Sequence, residues 1–447
     1  MARHETFSFR SPSQLLERIA ELGVDVRLQD DLSPLGRPVD VGHLRAPNSL
    51  AVHPMEGCDG TADGSPGELT VRRYERFARG GAGLLWFEAT AVVPEGRANP
   101  RQLWLHRGNA GEFARLVRLV ERIAREELGS DRRPLTVLQL THSGRYSRPV
   151  DRPAPIIAFH HPVLDPIQRL PADYPVITDD QLEALEESFV EAALLAREAG
   201  FQAVDIKTTH GYLGAELLAG HTRPGRYGGS FENRTRFLLN VVDGVRRAAP
   251  DLLLAVRLAA CDGMQYPYSW GMARDVPGRE DLEEPIRLAR LLYDRGVRLL
   301  NVTAGNPYYN PHITRPFDRP ILNGRVPDEH PLEGIDRLFR LARALQQAVP
   351  EVVVVGTGYS WLRHHFPLAA AANLTNGWCR IVGLGRLAFA YPDFARDVLE
   401  KGSLDPRRCC TACSKCTQLM RDDAQTGCVT RDASVYLPIY RSHRGRS

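Results

Sequence analysis

The chain reads as an α/β protein: a (β/α)8 barrel with an N-terminal extension and a cysteine-bearing C-terminal segment. Three observations predict this. Short runs rich in Val, Ile and Leu alternate with longer segments of helical period, the order expected of βα units around a parallel sheet. The short runs number eight, which is the barrel number. Beyond the last run, five of the eight cysteines crowd between Cys409 and Cys428.

Residues 1–45 form a preface with one expected helix, Ser13 to Leu22. The expected strands are Ser49 to His53, Gly83 to Glu88, Leu135 to Leu140, Ala203 to Ile206, Leu253 to Leu258, Leu299 to Thr303, Val352 to Val355 and Arg380 to Gly383. Between them lie helical stretches such as Glu112 to Glu126, Asp180 to Ala199, Glu232 to Ala248, Leu282 to Arg295 and Gly334 to Ala348. Each carries apolar residues at three- and four-residue spacing, so one face of each can cover the sheet. The Pro-rich stretch from Tyr146 to Pro175 is too long for a tight turn and is expected to cap the catalytic mouth. The barrel then occupies residues 46–400 and the cysteine segment residues 401–447.

Composition sets the outer bounds. At 447 residues, with 43% hydrophobic and 25% charged side chains, the chain can bury a large core. A formal charge of +3, with basic residues scattered among acidic ones, gives no polyanion-binding stripe, and no nucleic-acid partner is expected. The N-terminus MARHETFSFRSPSQ lacks the apolar stretch of a secretory signal, and no apolar run is long enough to span a bilayer. A cytoplasmic protein without a membrane partner is expected, and a homo-oligomer. In such a chain clustered cysteines point to metal rather than disulfides.

The spacing Cys410-x2-Cys413-x2-Cys416-x11-Cys428 gives three thiolates on one tight loop and a fourth from a later segment, which suits the corners of a [4Fe-4S] cubane. Structural zinc is the alternative, although zinc usually pairs its cysteines in two knuckles. Cys409 is the spare. Lys415, inside the loop, is placed to offset thiolate charge. It is one of only three lysines, with Lys207 and Lys401; every other basic chain is arginine. Where lysine occurs, an ammonium is specifically wanted.

Several expected strand ends carry polar groups, and in a barrel those ends form the catalytic face. The run His210-Gly211-Tyr212-Leu213, followed by Arg223 to Arg234 (RPGRYGGSFENR), resembles the Old Yellow Enzyme family of flavin oxidoreductases, which carries HGYL and YGGSxENR after the fourth strand. Gln139 to Arg145 (QLTHSGR) resembles its QLxHxGR, and Gly383-Leu384-Gly385-Arg386 its flavin-phosphate turn. These matches fall in family order across most of residues 47 to 400. The cysteines further resemble the iron-sulfur branch, which includes 2,4-dienoyl-CoA reductase and trimethylamine dehydrogenase. Both relatives continue into nucleotide-binding domains, and none is expected here.

The resemblance implies FMN in the barrel, with Gln139 and Arg257 serving the pyrimidine edge and N1, where reduced flavin becomes anionic. Gly356-Thr357-Gly358 and Gly385-Arg386 are expected at the phosphate, and Pro54, Met55, Glu56 and Ala89 along the flavin. In ene-reductase members a His-His or His-Asn pair holds the substrate carbonyl and a tyrosine donates a proton. Here Lys207 replaces the first partner, His210 keeps the second, and Tyr212 is the expected donor. An ammonium favours an enolate or carboxylate more strongly than imidazole does; the alternative is a Lys207 swung into a surface ion pair. His142, Tyr308, Tyr309 and His312 are expected to extend the pocket.

The leading expectation is an FMN-dependent enzyme that saturates an activated C=C bond of a small molecule. The cluster would pass electrons from a ferredoxin or flavoprotein reductase, or NAD(P)H would reduce the flavin directly. The runner-up runs the chemistry backwards on an amine or saturated carbonyl compound and exports electrons. From another class comes a non-catalytic electron-transfer or redox-sensing subunit.

Overall fold

The computed structural model describes residues 4–129 and 132–444. Strands β1 (Val39–Val41) and β2 (Leu44–Ala46) form an antiparallel hairpin. Eight further strands pair in parallel in chain order: β3 (Leu50–Val52), β4 (Leu84–Ala91), β5 (Leu135–Thr141), β6 (Ala203–Thr208), β7 (Leu253–Cys261), β8 (Val297–Ala304), β9 (Val353–Gly356) and β10 (Ile381–Leu384). β10 closes on β3, so all eight expected strands form one barrel. The hairpin was not foreseen, because two three-residue strands are too short to show a period.

Every residue of β7 is buried, which explains why its sequence lacks a polar face. Leu253 and Ala255 point inward, while Leu254, Val256 and Leu258 face the helices. The hairpin plugs the lower end: Val39, Val41 and Ala46 pack with the inward Leu84, Trp86, Leu135, Val137 and Leu299. Toward the carboxyl ends the inward positions turn polar. The register sets Gln139 beside Asp205, and Arg257 between Lys207 and Asn301.

The expected helices appear as Pro12–Leu22, Ala110–Leu128, Asp179–Glu198, Phe231–Ala248, Glu283–Asp294 and Pro331–Ala348. Their starts follow local chemistry. Thr178 and Gln181 form a reciprocal cap on one, and the Ser230 hydroxyl accepts from the Asn233 N–H on another. Helices Glu68–Arg79, Phe366–Thr375, Phe394–Lys401, Lys415–Arg421 and Ala433–Arg444 were not foreseen.

The stretch after Tyr146 supplies Ser147, Arg148, Pro153 and Gln168 to an opening next to the barrel mouth. Arg145, fully buried, pairs with Asp165 and Glu216 and donates to the Phe159 carbonyl, which clamps the stretch to the barrel rim. The C-terminal segment is bolted on by charge: Arg72 and Arg76 reach Asp432 at 2.7 and 2.5 Å. Its helix Lys415–Arg421 then leans over the barrel mouth, where Thr417, Met420 and Arg421 join the cleft wall. Among the described residues no helix is long and apolar enough to cross a membrane.

Candidate flavin cleft and cysteine pocket

A cleft of about 1030 Å3, counting its open mouth, sits over the carboxyl ends of the strands. It brings together Pro54, Met55, Glu56, Gln139, Lys207, His210, Tyr212, Arg257, Gly358, Gly385 and Arg386. Two expected residues stand off its wall. Ala89 is buried in β4, where its carbonyl accepts from the Gln102 amide at 3.0 Å. Gly356 turns toward Cys379 and Tyr359, whose Sγ and hydroxyl would each lie 3.2 Å from an added Cβ. Tyr308 lines the cleft, whereas Tyr309 and His312 line a neighbouring space and His142 is buried, its Nδ1 accepting from the Gly144 N–H.

The floor is organised by Asp205, which carried no motif signal. Its carboxylate accepts from Gln139 Nε2 at 2.6 Å, Trp86 Nε1 at 2.9 Å and the Arg257 backbone N–H at 2.5 Å. Gln139 therefore keeps its carbonyl oxygen as the end free to accept. Burial raises the Asp205 carboxyl to about 6, against the pull of Gln139 and Arg257. Burial, with Arg257 nearby, holds His53 and His210 well below the usual imidazole range, so both are neutral. His53 lies against Gly383, where a Cβ would fall 2.2 Å from its ring.

Flavin fit can be tested on atoms that lack partners. His53 Nε2, His210 Nε2, Arg257 Nε, Arg315 Nη1 and Arg386 Nη1 are buried without a hydrogen bond, and all five side chains line this cleft. A buried donor left unmade is costly, so this set calls for a ligand rich in acceptors and negative charge. Gly358, at φ 104, and Gly385, where a Cβ would sit 2.8 Å from Met55 Sδ, allow backbone to line the same wall. These residues fit FMN.

At one end of the cleft stands a polar cluster. Lys207 Nζ donates to Glu56 Oε1 at 3.2 Å and lies 3.7 Å from the Tyr212 ring centre. Tyr212 donates to the same Glu56 oxygen at 3.3 Å and meets the Tyr308 hydroxyl at 3.2 Å. Tyr146 stacks on Tyr308 at 3.7 Å. Lys207 does form an ion pair, but a buried one, with its side chain 2% exposed. Burial lowers its ammonium to about 8, with Glu56 opposing. Burial and Glu56 push the Tyr212 phenol well above its usual value. Glu56, expected along the flavin, lines the cleft and is a partner of both groups.

Cys410, Cys413, Cys416 and Cys428 line one space of about 320 Å3, with Arg386 and Phe389 in its wall. Cys409 lies outside it, its thiol directed at the Asp405 carbonyl. The Ala412 N–H donates to Cys410 Sγ and the Arg431 N–H to Cys428 Sγ, each at 3.3 Å. Burial acts to raise the Cys413 thiol, yet the Lys415 N–H, the Thr430 and Thr411 hydroxyls and the Lys415 ammonium hold it below its usual value. Among the described residues no three His, Cys, Asp or Glu side chains are grouped for a single metal ion. Arg386 lines both this pocket and the cleft.

His53, Arg315, Met420 and Arg421 also line the cleft and were missed by sequence reading. His53 ends the first expected strand, and its position alone could have flagged it. The other three lie far from any strand end and gave no signal.

The pattern of the NADH:flavin oxidoreductase / NADH oxidase family matches residues 34–268, over half of the chain. The chain belongs to that family, which bears out the resemblance read in its motifs. It is similar to an NADH:flavin oxidoreductase of Gibberella zeae, 26% identical over 291 residues, 60% of this chain and 66% of that one. It is also similar to a bilirubin reductase of Mediterraneibacter gnavus, 27% identical over 418 residues, 89% of this chain and 57% of that one. The chain thus spans less than two thirds of the length of either relative. Among solved structures, a complex of 2-naphthoyl-CoA reductase with 2-naphthoyl-CoA superposes with a TM-score of 0.70 at 20% identity, covering 89% of this chain and 57% of that one.

Proposed function

We propose that the protein is an FMN and [4Fe-4S] oxidoreductase that reduces an activated C=C bond, an α,β-unsaturated carbonyl or thioester, with NAD(P)H or an external electron carrier as the source of electrons. The observation that carries this reading is the convergence of Lys207, His210, Tyr212 and Arg257 on one cleft whose buried donors lack partners. Bound FMN supplies the hydride. Lys207 and His210 orient the substrate carbonyl, and the ammonium favours the oxygen as it gains negative charge. Tyr212 holds the proton for the α-carbon. Arg257 stabilises negative charge at the pyrimidine edge, and Arg386, with the backbone of Gly358 and Gly385, holds the phosphate.

Residues 401–447 are assigned to the cluster, with Cys410, Cys413, Cys416 and Cys428 as ligands. Four cysteines that line one shared space, two of them accepting backbone N–H bonds at sulfur, support this reading, and the spacing of three on one tight loop suits a cluster better than paired zinc knuckles. Anaerobic purification with iron, sulfide and flavin analysis tests this: Cys409→Ser is expected to keep its iron and Cys410→Ser to lose it.

A second reading, oxidation of an amine or saturated carbonyl compound with export of electrons through the cluster, is favoured by the wall that Arg386 shares between the two sites. Anaerobic titration separates the two directions. Flavin bleached by substrate alone supports the second, and flavin bleached only by NAD(P)H or a reduced carrier rejects it.

A further inference from the structure

A side opening of about 670 Å3 reaches the polar cluster from another direction. Glu56 and Tyr308 belong to the walls of both the cleft and this opening. Its wall includes the polar side chains of Asn99, Ser147, Arg148 and Asp423, and the Asp423 side chain is 32% exposed. Tyr212 is only 2% exposed. Once it gives up a proton it needs a source within reach, because burial makes a lasting phenolate unfavourable. Its hydroxyl has two hydrogen-bond partners, Glu56 at 3.3 Å and Tyr308 at 3.2 Å. Tyr308 is itself a phenol pushed above its usual value by desolvation, a poor source of protons. Glu56 is the carboxyl that touches Tyr212 on one side and the side opening on the other.

We propose that Glu56 is a proton relay that acts through Tyr212, drawing protons from water in the side opening. This rests on the reading of Tyr212 as the proton donor. In each turnover the β-carbon receives a hydride, whose electrons come from NAD(P)H or the external carrier. The C=C π bond breaks and the α-carbon takes the Tyr212 proton. Glu56, a carboxylate at rest in its pair with Lys207, takes up a proton from water and passes it to the Tyr212 phenolate, so the Tyr212 O–H re-forms and Glu56 returns to the anion. The net cost is one solvent proton. Lys207, 3.2 Å from the same carboxylate oxygen, steadies the Glu56 anion after the transfer.

The test uses the holoenzyme reduced anaerobically and mixed with 2-cyclohexenone, in H2O and in D2O. Glu56→Gln is expected to slow the reaction roughly tenfold or more and to enlarge the solvent isotope effect, with Glu56→Asp keeping most of the rate. Added formate, a small acid that fits the side opening, is expected to restore part of the Glu56→Gln rate and none of the Tyr212→Phe rate. A turnover-free readout comes from carbon-13 lysine labelling, since only three lysines give side-chain signals. The Lys207 signal is expected to titrate at lower pH in Glu56→Gln than in the parent. Three results overturn the relay while Tyr212 stands: a parental rate and isotope effect in Glu56→Gln beside a slow Tyr212→Phe, a slow Glu56→Gln with no isotope change and no formate rescue, or a Lys207 titration that does not move. A parental rate in Tyr212→Phe overturns the donor reading and the relay with it, and an enone left unreduced by the parent overturns the reductase reading.

Discussion

Asp205 shows how one buried carboxylate can set the chemistry above it. It fixes the Gln139 amide and anchors the backbone that carries Arg257, so both of these cleft groups depend on it. Asp205→Asn is expected to weaken FMN binding about 10- to 100-fold, the range for losing a buried charge-assisted hydrogen bond. The sign of the pH effect follows from its environment. Burial raises the carboxyl to about 6, so the carboxylate that accepts from Gln139 is present above that value and lost below it. FMN affinity should therefore fall as pH drops through about 6, and the dependence should vanish in Asp205→Asn; fluorescence titration of FMN measures both. Lys207, His210 and Tyr212 were legible in the sequence because a motif surrounds them. Asp205 was not, because an acid in an apolar strand reads as an interruption until its partners are seen across β5 and β7.

At the scale of elements, Asp432 is one of the residues that tie the C-terminal segment to the barrel. Asp432, with its side chain 6% exposed, accepts from both Arg72 and Arg76 of helix Glu68–Arg79. Asp432→Ala removes those bonds and is expected to loosen the segment by about 1.5–3 kcal/mol, the usual worth of hydrogen bonds to charged groups. Hydrogen exchange should then rise across residues 415–444 while the barrel strands stay protected. The eight strands and six main helices were legible because each repeats its pattern over enough residues. The hairpin and the helix Lys415–Arg421 were not, being short and fixed by tertiary contact. The four cysteines announced a shared site through spacing alone, but nothing in their spacing told that Arg386 stands between them and the cleft.

Across the whole molecule, the two ends of the barrel do different work. The lower end is an apolar plug closed by the hairpin, and the upper end gathers the charges. Val41→Ala, at a residue with no exposed surface, is expected to cost about 2 kcal/mol of stability and to leave FMN affinity unchanged. Denaturant midpoints beside flavin titration separate the two effects. The barrel was legible from strand count and order, but how the C-terminal segment sits on it was not, because that contact joins helix Glu68–Arg79 to Asp432, residues some 360 positions apart. That contact has a consequence for life in air. Met420 and Arg421, which line the cleft, ride on the same short helix as Cys416. On the proposed assignment of the four cysteines to a cluster, iron shortage would loosen part of the cleft wall together with the proposed electron port. An enzyme in that condition would be expected to leak reducing equivalents to dioxygen as peroxide.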